Sequence, residues 1–359
     1  MDNAGQYFLR RLTVTAGAHS YSQASMAENL RAKIADLPNA KSVLQTAGFI
    51  YEHSSIKNRH FEFDLEEIEK RSDWYRLVNE TTLSMATRVL TKLFAEQITA
   101  AECDGLVVVT SAYGGFPALS RHLQSRLGFP LEALCFDLTG LGCNGSTHGI
   151  QLAQMLLERG DCNTVCVICA DSMGTHAQSR KHTRVPTMSE VVAHCLSSDG
   201  AAALILSNKP GKQPIFSYRT CALASKMWPD SLHLNVQSAS EQNQPFIVVG
   251  KEIQTRIGDE FAYYVNKNAA ILEEPALFHP GGIALMKLLR EKYPQLAETT
   301  ELSIGELQET GNFGSPSVLW VLNAALRKNV KLTPRVRLIT FGPGKVTAIL
   351  LIDGIEMNL

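Results

Sequence analysis

The stretch DLTGLGCNGSTHGIQLAQMLLERG, residues 137–160, places Cys143 directly after Gly142 and two residues before Gly145. It sits where a short apolar run gives way to a helical pattern. Ile150, Leu152, Ala153, Leu156 and Leu157 recur at helical spacing, so the thiol falls at or near a helix N-terminus. Unpaired backbone N–H groups and the dipole there favour thiolate and can depress its pKa below the free value of about 8.5. The glycines allow another backbone or a substrate to come close. Taken alone, the stretch is equally readable as a nucleophile on a turn or as a buried structural thiol.

Outward from this stretch, strand-like and helix-like segments alternate. GLVVVTS (105–111) precedes a helical stretch near 117–127, EALCFDL (132–138) precedes the cysteine, and TVCVICA (164–170) and AAALILS (201–207) follow it. This order predicts βαβ units around a mostly parallel, buried sheet. NKPGKQP (208–214), with two prolines and a glycine, marks a boundary. Beyond it a helical run near 251–268, PALF (275–278), helices near 281–292 and 315–328 and the terminal strands RVRLIT and KVTAILLI repeat the style. The expected organisation is an N-terminal half, 1–210, and a similar C-terminal half, 211–359, sharing one core. The first hundred residues add amphipathic helical stretches at 23–36, 63–72 and 78–97.

Two more glycine-rich turns carry residues able to do chemistry. His279 in LFHPGG follows a short apolar run and stands at an expected strand end, and Asn312 in ETGNFGSPSVLW precedes a helix. Each has an ordinary reading, a satisfied loop histidine and a plain turn or N-cap residue. Three such residues in three such turns shift the balance towards a site, because a cysteine nucleophile needs a base and donors for a developing oxyanion.

Bulk properties exclude other classes. With 359 residues and 45% hydrophobic content the chain can build a large core. Thirty-four basic residues against 35 acidic ones give a net charge of −1, which sets up no strong field for nucleic acid or anionic membrane. The N-terminus MDNAGQYFLRRLTV lacks a signal-peptide pattern, and no apolar run of about 18 residues occurs. Eight cysteines, several inside apolar runs, point to reduced thiols and a cytoplasmic location. Cys162, Cys166 and Cys169 mimic ligand spacing, but on a strand Cys166 and Cys169 face opposite ways and nothing completes a zinc set, so no metal is expected.

At these residues the chain resembles the thiolase-fold condensing enzymes, and among them the type III polyketide synthases, the chalcone synthase-like family, from about residue 45 onward. GLGC (140–143), HPGG (279–282), GNFGSPSVL (311–319), FGPGKVTA (341–348) and SSDGAAALI (197–205) carry the resemblance. It implies an α/β fold with αβαβα layers, a homodimer, and a catalytic set of Cys143, His279 and Asn312. The implied reaction is decarboxylative Claisen condensation of an acyl-CoA starter with malonyl-CoA through an acyl-cysteine, with CoA thioesters as substrates and no separate cofactor. Lys57 and Arg59, in SSIKNRH, fall where the family's basic residues meet CoA phosphates. Phe116 aligns with a residue that reaches into the partner's site. Ser197 replaces one gatekeeper aromatic and Phe246 aligns with a second. Gly342, Pro343 and Gly344 form the family's C-terminal loop. Asn144 and His148 are unusual neighbours of the cysteine, and His148 reads more readily as a helix surface or core residue than as a substrate contact. Two alternatives stay open: a ketoacyl synthase III-like enzyme performing one condensation or acyl transfer, with an acyl carrier protein as a further possible partner, and a non-catalytic subunit of a condensing complex.

Overall fold

A computed structural model describes residues 5–95, 98–179, 182, 184–228, 235–239, 245–249, 253–344 and 346–357, with the backbone alone at 235–239, 245–249 and 253–256. Two sheets organise it. The larger has seven strands in the order Glu356–Met357, Phe216–Tyr218, Tyr7–Ala16, Asp199–Ser207, Thr164–Ser172, Gly105–Thr110 and Leu134–Thr139. The smaller runs Ala276–Phe278, Arg335–Gly342, Val346–Asp353 and Thr220–Met227.

The central strands are buried on both faces, which is why they read as continuous apolar runs. Val107 and Val109 point to one core and Leu106 and Val108 to another. Val167 and Cys169 likewise oppose Cys166 and Ile168. The alternation confirms that Cys166 and Cys169 cannot share a ligand. All eight cysteines are free, and among the described residues no cluster of three metal-ligating side chains occurs.

Three cores define five layers. Helices Gly145–Arg159 and Ser317–Arg327 contribute to the core that also takes one face of each sheet. Helices Trp74–Leu93 and Leu119–Leu127 cover the outer face of the larger sheet. Helices Ile253–Lys267 and Ile283–Lys292 cover the outer face of the smaller one. The order is therefore αβαβα, as expected. The expectation of a mostly parallel sheet is corrected: Gly105–Thr110 pairs in parallel with both its neighbours and Ala276–Phe278 with Arg335–Gly342, while the other pairings in both sheets are antiparallel. Asp199–Ser207 returns beside Thr164–Ser172 after an excursion rather than a single crossover helix, and its apolar composition is blind to direction. Strand Tyr7–Ala16 was not anticipated, because a register shift between Leu9 and Arg11 breaks its alternation where Arg10 and Arg11 fall.

The helix after Cys143 lies flat on the larger sheet because glycines face it. A Cβ on Gly145 would stand 2.2 Å from Val109 Cγ1, and one on Gly149 2.8 Å from Val109 Cγ2. Gly145→Ala is expected to destabilise the fold by about 1–3 kcal/mol through overpacking. The check is the urea midpoint, and an unchanged value contradicts this packing.

Candidate active site

Three separate turns deliver their side chains to one cavity of about 480 Å³, lined by Cys143, His279 and Asn312 together with Ser197. The first turn leaves strand Leu134–Thr139 through Gly140 and Gly142, both with positive φ (72° and 52°). Residues Gly142–Asn144 then form a single 3-10 turn before the helix proper begins at Gly145. Cys143 is buried on the cavity wall, 8% exposed. Its neighbours are used structurally. Asn144 Nδ2 donates to the Val346 carbonyl at 2.9 Å, and His148 Nδ1 lies 2.9 Å from the Asn144 carbonyl, one helical turn back.

The loop Gly342-Pro343-Gly344 buttresses this turn. A Cβ on Gly142 would fall 2.4 Å from Pro343 Cδ, and one on Gly342 2.3 Å from Asn144 Nδ2. Gly344 adopts a φ of 67°. The loop is thus packed against the cysteine turn.

His279 is the first residue after strand Ala276–Phe278. Its N–H donates to Ile339 at 2.8 Å and its carbonyl accepts from Gly281 N–H at 2.8 Å. The imidazole is 1% exposed and Nδ1 has no hydrogen-bond partner, so the surroundings leave the tautomer open. Asn312 is oriented differently. Its Oδ1 accepts from Gly314 N–H at 2.8 Å and from Ser317 Oγ at 3.2 Å. With the oxygen so engaged, the Nδ2 amide is the end left for the cavity.

Backbone pairing joins the asparagine turn to Ser197. Asn312 N–H donates to Leu196 at 2.8 Å and Ser198 N–H to Asn312 at 2.9 Å, an isolated parallel bridge between residues 197 and 312. Ser197 is consequently beside Asn312 on the cavity wall. Phe246 lies in strand Pro245–Val249, its backbone opposite Ser238; its side chain is outside the described residues.

Two buried carboxylates were missed in the sequence. Asp171, in VCVICADS, accepts from Ser111 N–H at 2.6 Å and Ser315 N–H at 2.8 Å, tying the end of a central strand to the asparagine turn. Desolvation holds its pKa above the usual carboxylate range. Asp199 accepts from Thr175 N–H at 2.8 Å, Thr175 Oγ1 at 2.5 Å and Glu62 N–H at 3.1 Å, and burial raises it to about 6. The available signal was a lone aspartate inside an apolar strand, a placement that needs several donors to persist.

Burial pushes the Cys143 thiol up to about 12, with the Asp171 charge acting in the same direction and the residue's own backbone N–H opposing. This corrects the expected depression by the helix end. The cysteine precedes the helix by a 3-10 turn, and desolvation outweighs the dipole. Burial lowers His279 to about 3. The cavity thus pairs a neutral thiol with a neutral imidazole.

The histidine shift has a stability consequence. An unfolded chain protonates this residue near pH 6.5, the folded one near 3, so the unfolded state binds the extra proton between those values. Stability is therefore lost as pH falls through that window, by about 1.4 kcal/mol per pH unit. Urea denaturation at pH 7 and pH 5 is expected to show a steeper acid loss in the wild type than in His279→Gln. Equal slopes contradict a buried neutral imidazole.

Of the expected binding residues whose side chains are described, Ser197 alone lines the cavity. Arg59 has no exposed surface. It donates to Ser198 Oγ at 3.1 Å, to the His194 carbonyl at 2.8 Å and to the Cys195 carbonyl. It holds the C-terminal end of helix Met188–Leu196 and cannot meet a phosphate in solvent, which corrects the expectation. The alternating burial of strand Asn58–Phe61 puts it inward. Lys57 is on the surface, with Nζ 2.5 Å from Glu309 Oε1. Phe116 is fully exposed on its loop.

Two apposed sheets enclosing a cysteine, a histidine and an asparagine make this a thiolase-like fold. A family model described as FAE1/Type III polyketide synthase-like protein matches residues 44–262, and the chain belongs to that family. Type III polyketide synthase C of Arabidopsis thaliana is 26% identical over 227 residues, a match covering 61% of this chain and 58% of that protein. The chain thus spans less than two thirds of that curated relative. The crystal structure of CsyB complexed with CoA-SH superposes with a TM-score of 0.84 at 18% identity, covering 97% of this chain and 100% of that one. PKS-I from the brown alga Ectocarpus siliculosus gives 0.83 at 16%, covering 98% of each chain. The 1,3,6,8-tetrahydroxynaphthalene synthase from Streptomyces coelicolor gives 0.83 at 18%, covering 97% and 99%. At these identities the likeness is one of fold.

Proposed function

We propose that the chain is a type III polyketide synthase acting by decarboxylative Claisen condensation on CoA thioesters. The observation that carries this reading is the convergence of Cys143, His279 and the Nδ2 end of Asn312 on one cavity. Cys143 Sγ attacks the starter thioester carbonyl as its proton passes to His279, and CoA leaves with that proton. The Cys143 backbone N–H serves as a donor to the tetrahedral oxyanion. Malonyl-CoA then binds and its C–CO2 bond breaks, leaving the electron pair as an enolate whose oxygen accepts from His279 and Asn312 Nδ2. The enolate carbon attacks the acyl-cysteine carbonyl, the Cys143 thiolate departs and takes a proton from solvent to restore the neutral thiol, and a β-ketoacyl-CoA is formed. A neutral pair suits this cycle, since it costs less to bury than an ion pair before substrate arrives.

Apolar side chains including Met188, Val192, Leu196 and Ile257 supply most of the cavity wall, which favours an apolar starter. Ser197→Phe, by filling space beside Asn312, is expected to shorten the products. Product masses after incubation with malonyl-CoA and a starter panel test this; an unchanged product range contradicts a cavity-limited chain length. The same assay separates the ketoacyl synthase III-like alternative, which makes one extension and depends on carrier protein.

The homodimer belongs to this proposal. Phe116, Leu131, Leu134 and Phe136 are exposed apolar residues on and near the edge strand of the larger sheet, an edge and patch that suit a second copy. A division into halves 1–210 and 211–359 is supported by the smaller sheet, built wholly from the second, although Phe216–Tyr218 and Glu356–Met357 complete the larger one. A cytoplasmic location is supported by the eight free thiols. Among the described residues no helix is long and apolar enough to cross a membrane.

A further inference from the structure

We propose that Ser198 is a positioning residue for Asn312: its hydroxyl, gripped by Arg59 and the His60 N–H, fixes the backbone bridge that aims the Asn312 amide into the cavity. The inference rests on the reading of Asn312 as a donor to the enolate. It gives a part in that step to a residue outside the described cavity lining.

Ser198 has no exposed surface. Its Oγ accepts from Arg59 Nε at 3.1 Å and from the His60 N–H at 3.1 Å. One residue on, Asp199 accepts from the Glu62 N–H at 3.1 Å, so the segment 59–62 is sewn to residues 198 and 199. Arg59 is itself immobile, because its guanidinium also spans the carbonyls of His194 and Cys195. On the other side, the Ser198 N–H donates to the Asn312 carbonyl at 2.9 Å and the Asn312 N–H to the Leu196 carbonyl at 2.8 Å. Both backbone groups of Asn312 are therefore held by the segment that the Ser198 hydroxyl anchors. The hydroxyl also packs against the turn itself: Gly311 has a φ of 71°, and a Cβ there would stand 2.7 Å from Ser198 Oγ and 2.8 Å from the Leu196 carbonyl oxygen.

What the bridge controls is a position. Asn312 Oδ1 is taken by the Gly314 N–H and Ser317 Oγ, so Nδ2 moves with its turn. A displacement of about 1 Å at such a donor can cost about 10²-fold in rate, even when its cause lies away from the reacting atoms. The other two groups hang from different elements. Cys143 follows strand Leu134–Thr139, and His279 follows Ala276–Phe278 with its backbone bonded to Ile339 and Gly281. A change at Ser198 thus reaches the step that uses Asn312, decarboxylation, and leaves acyl loading of Cys143 in place.

Ser198→Ala in the full chain removes the acceptor and tests the assignment. It is expected to lower kcat for CO2 release from malonyl-CoA about ten-fold, with KM and acyl loading of Cys143 within about two-fold of wild type. Added to Asn312→Asp, it is expected to cost no further rate, because the donor it positions is already gone. Circular dichroism checks folding. Should Ser198→Ala not fold, Ser198→Cys, which keeps the side chain's shape but offers only a weak acceptor, is expected to show the same selective loss. Additive losses in the double variant overturn the proposal, as do equal falls in loading and decarboxylation, which mark a general structural role. An unchanged kcat in the folded single variant overturns it too. Failure of the enzymatic reading shows separately, as a wild type that neither releases CO2 nor gains an adduct on Cys143, and removes the step Ser198 would serve.

Discussion

Cys143→Ala is expected to lower condensation by at least about 10⁴-fold while leaving a measurable release of CO2 from malonyl-CoA. On the proposed mechanism the two half-reactions use different groups. Acyl transfer needs a thiol, and of the two cysteines lining the cavity Cys195 is engaged by Gln23 Nε2 at 3.0 Å, which leaves Cys143 as the assigned acyl carrier. Decarboxylation needs only donors to the enolate oxygen, and these are His279 and Asn312, both held by contacts independent of the cysteine. His279 is fixed by Ile339 and Gly281, and Asn312 by Gly314, Ser317, Leu196 and Ser198. Trapping CO2 from carboxyl-labelled malonyl-CoA, alongside product mass, separates the two. Loss of both activities in a folded variant contradicts the division of labour; retention of both rules Cys143 out as the acyl carrier.

Asn312→Asp carries the second large effect. The carboxylate keeps an oxygen where Oδ1 accepts from Gly314 and Ser317, so the turn and the Ser197 bridge persist. What disappears is the Nδ2 donor, and a negative charge now faces the developing enolate. Removing one donor of an oxyanion site typically costs about 10²–10³ in rate. Decarboxylation is expected to fall at least that far with the thermal midpoint close to wild type. Acyl loading of Cys143 should survive, because that step is assigned to Cys143 and His279. A variant that decarboxylates normally shows that Asn312 only shapes the turn.

The parts of this site legible in the sequence are those encoded locally. Gly140 and Gly142 adopt positive φ, so the turn that presents Cys143 is written into residues adjacent to it. His279 follows three apolar residues that become a strand, and Asn312 sits in a glycine turn ahead of a helix. The five-layer order is implied by the resemblance to the thiolase-fold condensing enzymes, whereas the alternation of apolar and amphipathic segments predicts only strands flanked by helices.

What was not legible depends on partners distant in sequence. Arg59 reads as a solvated cation because no local pattern announces that the carbonyls of residues 194 and 195 and Ser198 Oγ await it. Asp171 looks like an ordinary strand-end acid until Ser111 and Ser315 are seen to converge on it. The direction of the Cys143 pKa shift is not legible for the same reason, since burial and the Asp171 charge are tertiary properties while the helix end is a local one. Strand direction was invisible in AAALILS, whose small and apolar residues suit either sense.

The role of Cys143 as acyl carrier is read out by intact-protein mass spectrometry after exposure to a panel of acyl-CoA thioesters, followed by peptide mapping. Accepted starters are expected to add one acyl group per chain, located on Cys143 and absent from Cys143→Ala. An adduct on another of the eight cysteines, or equal labelling of the alanine variant, contradicts it.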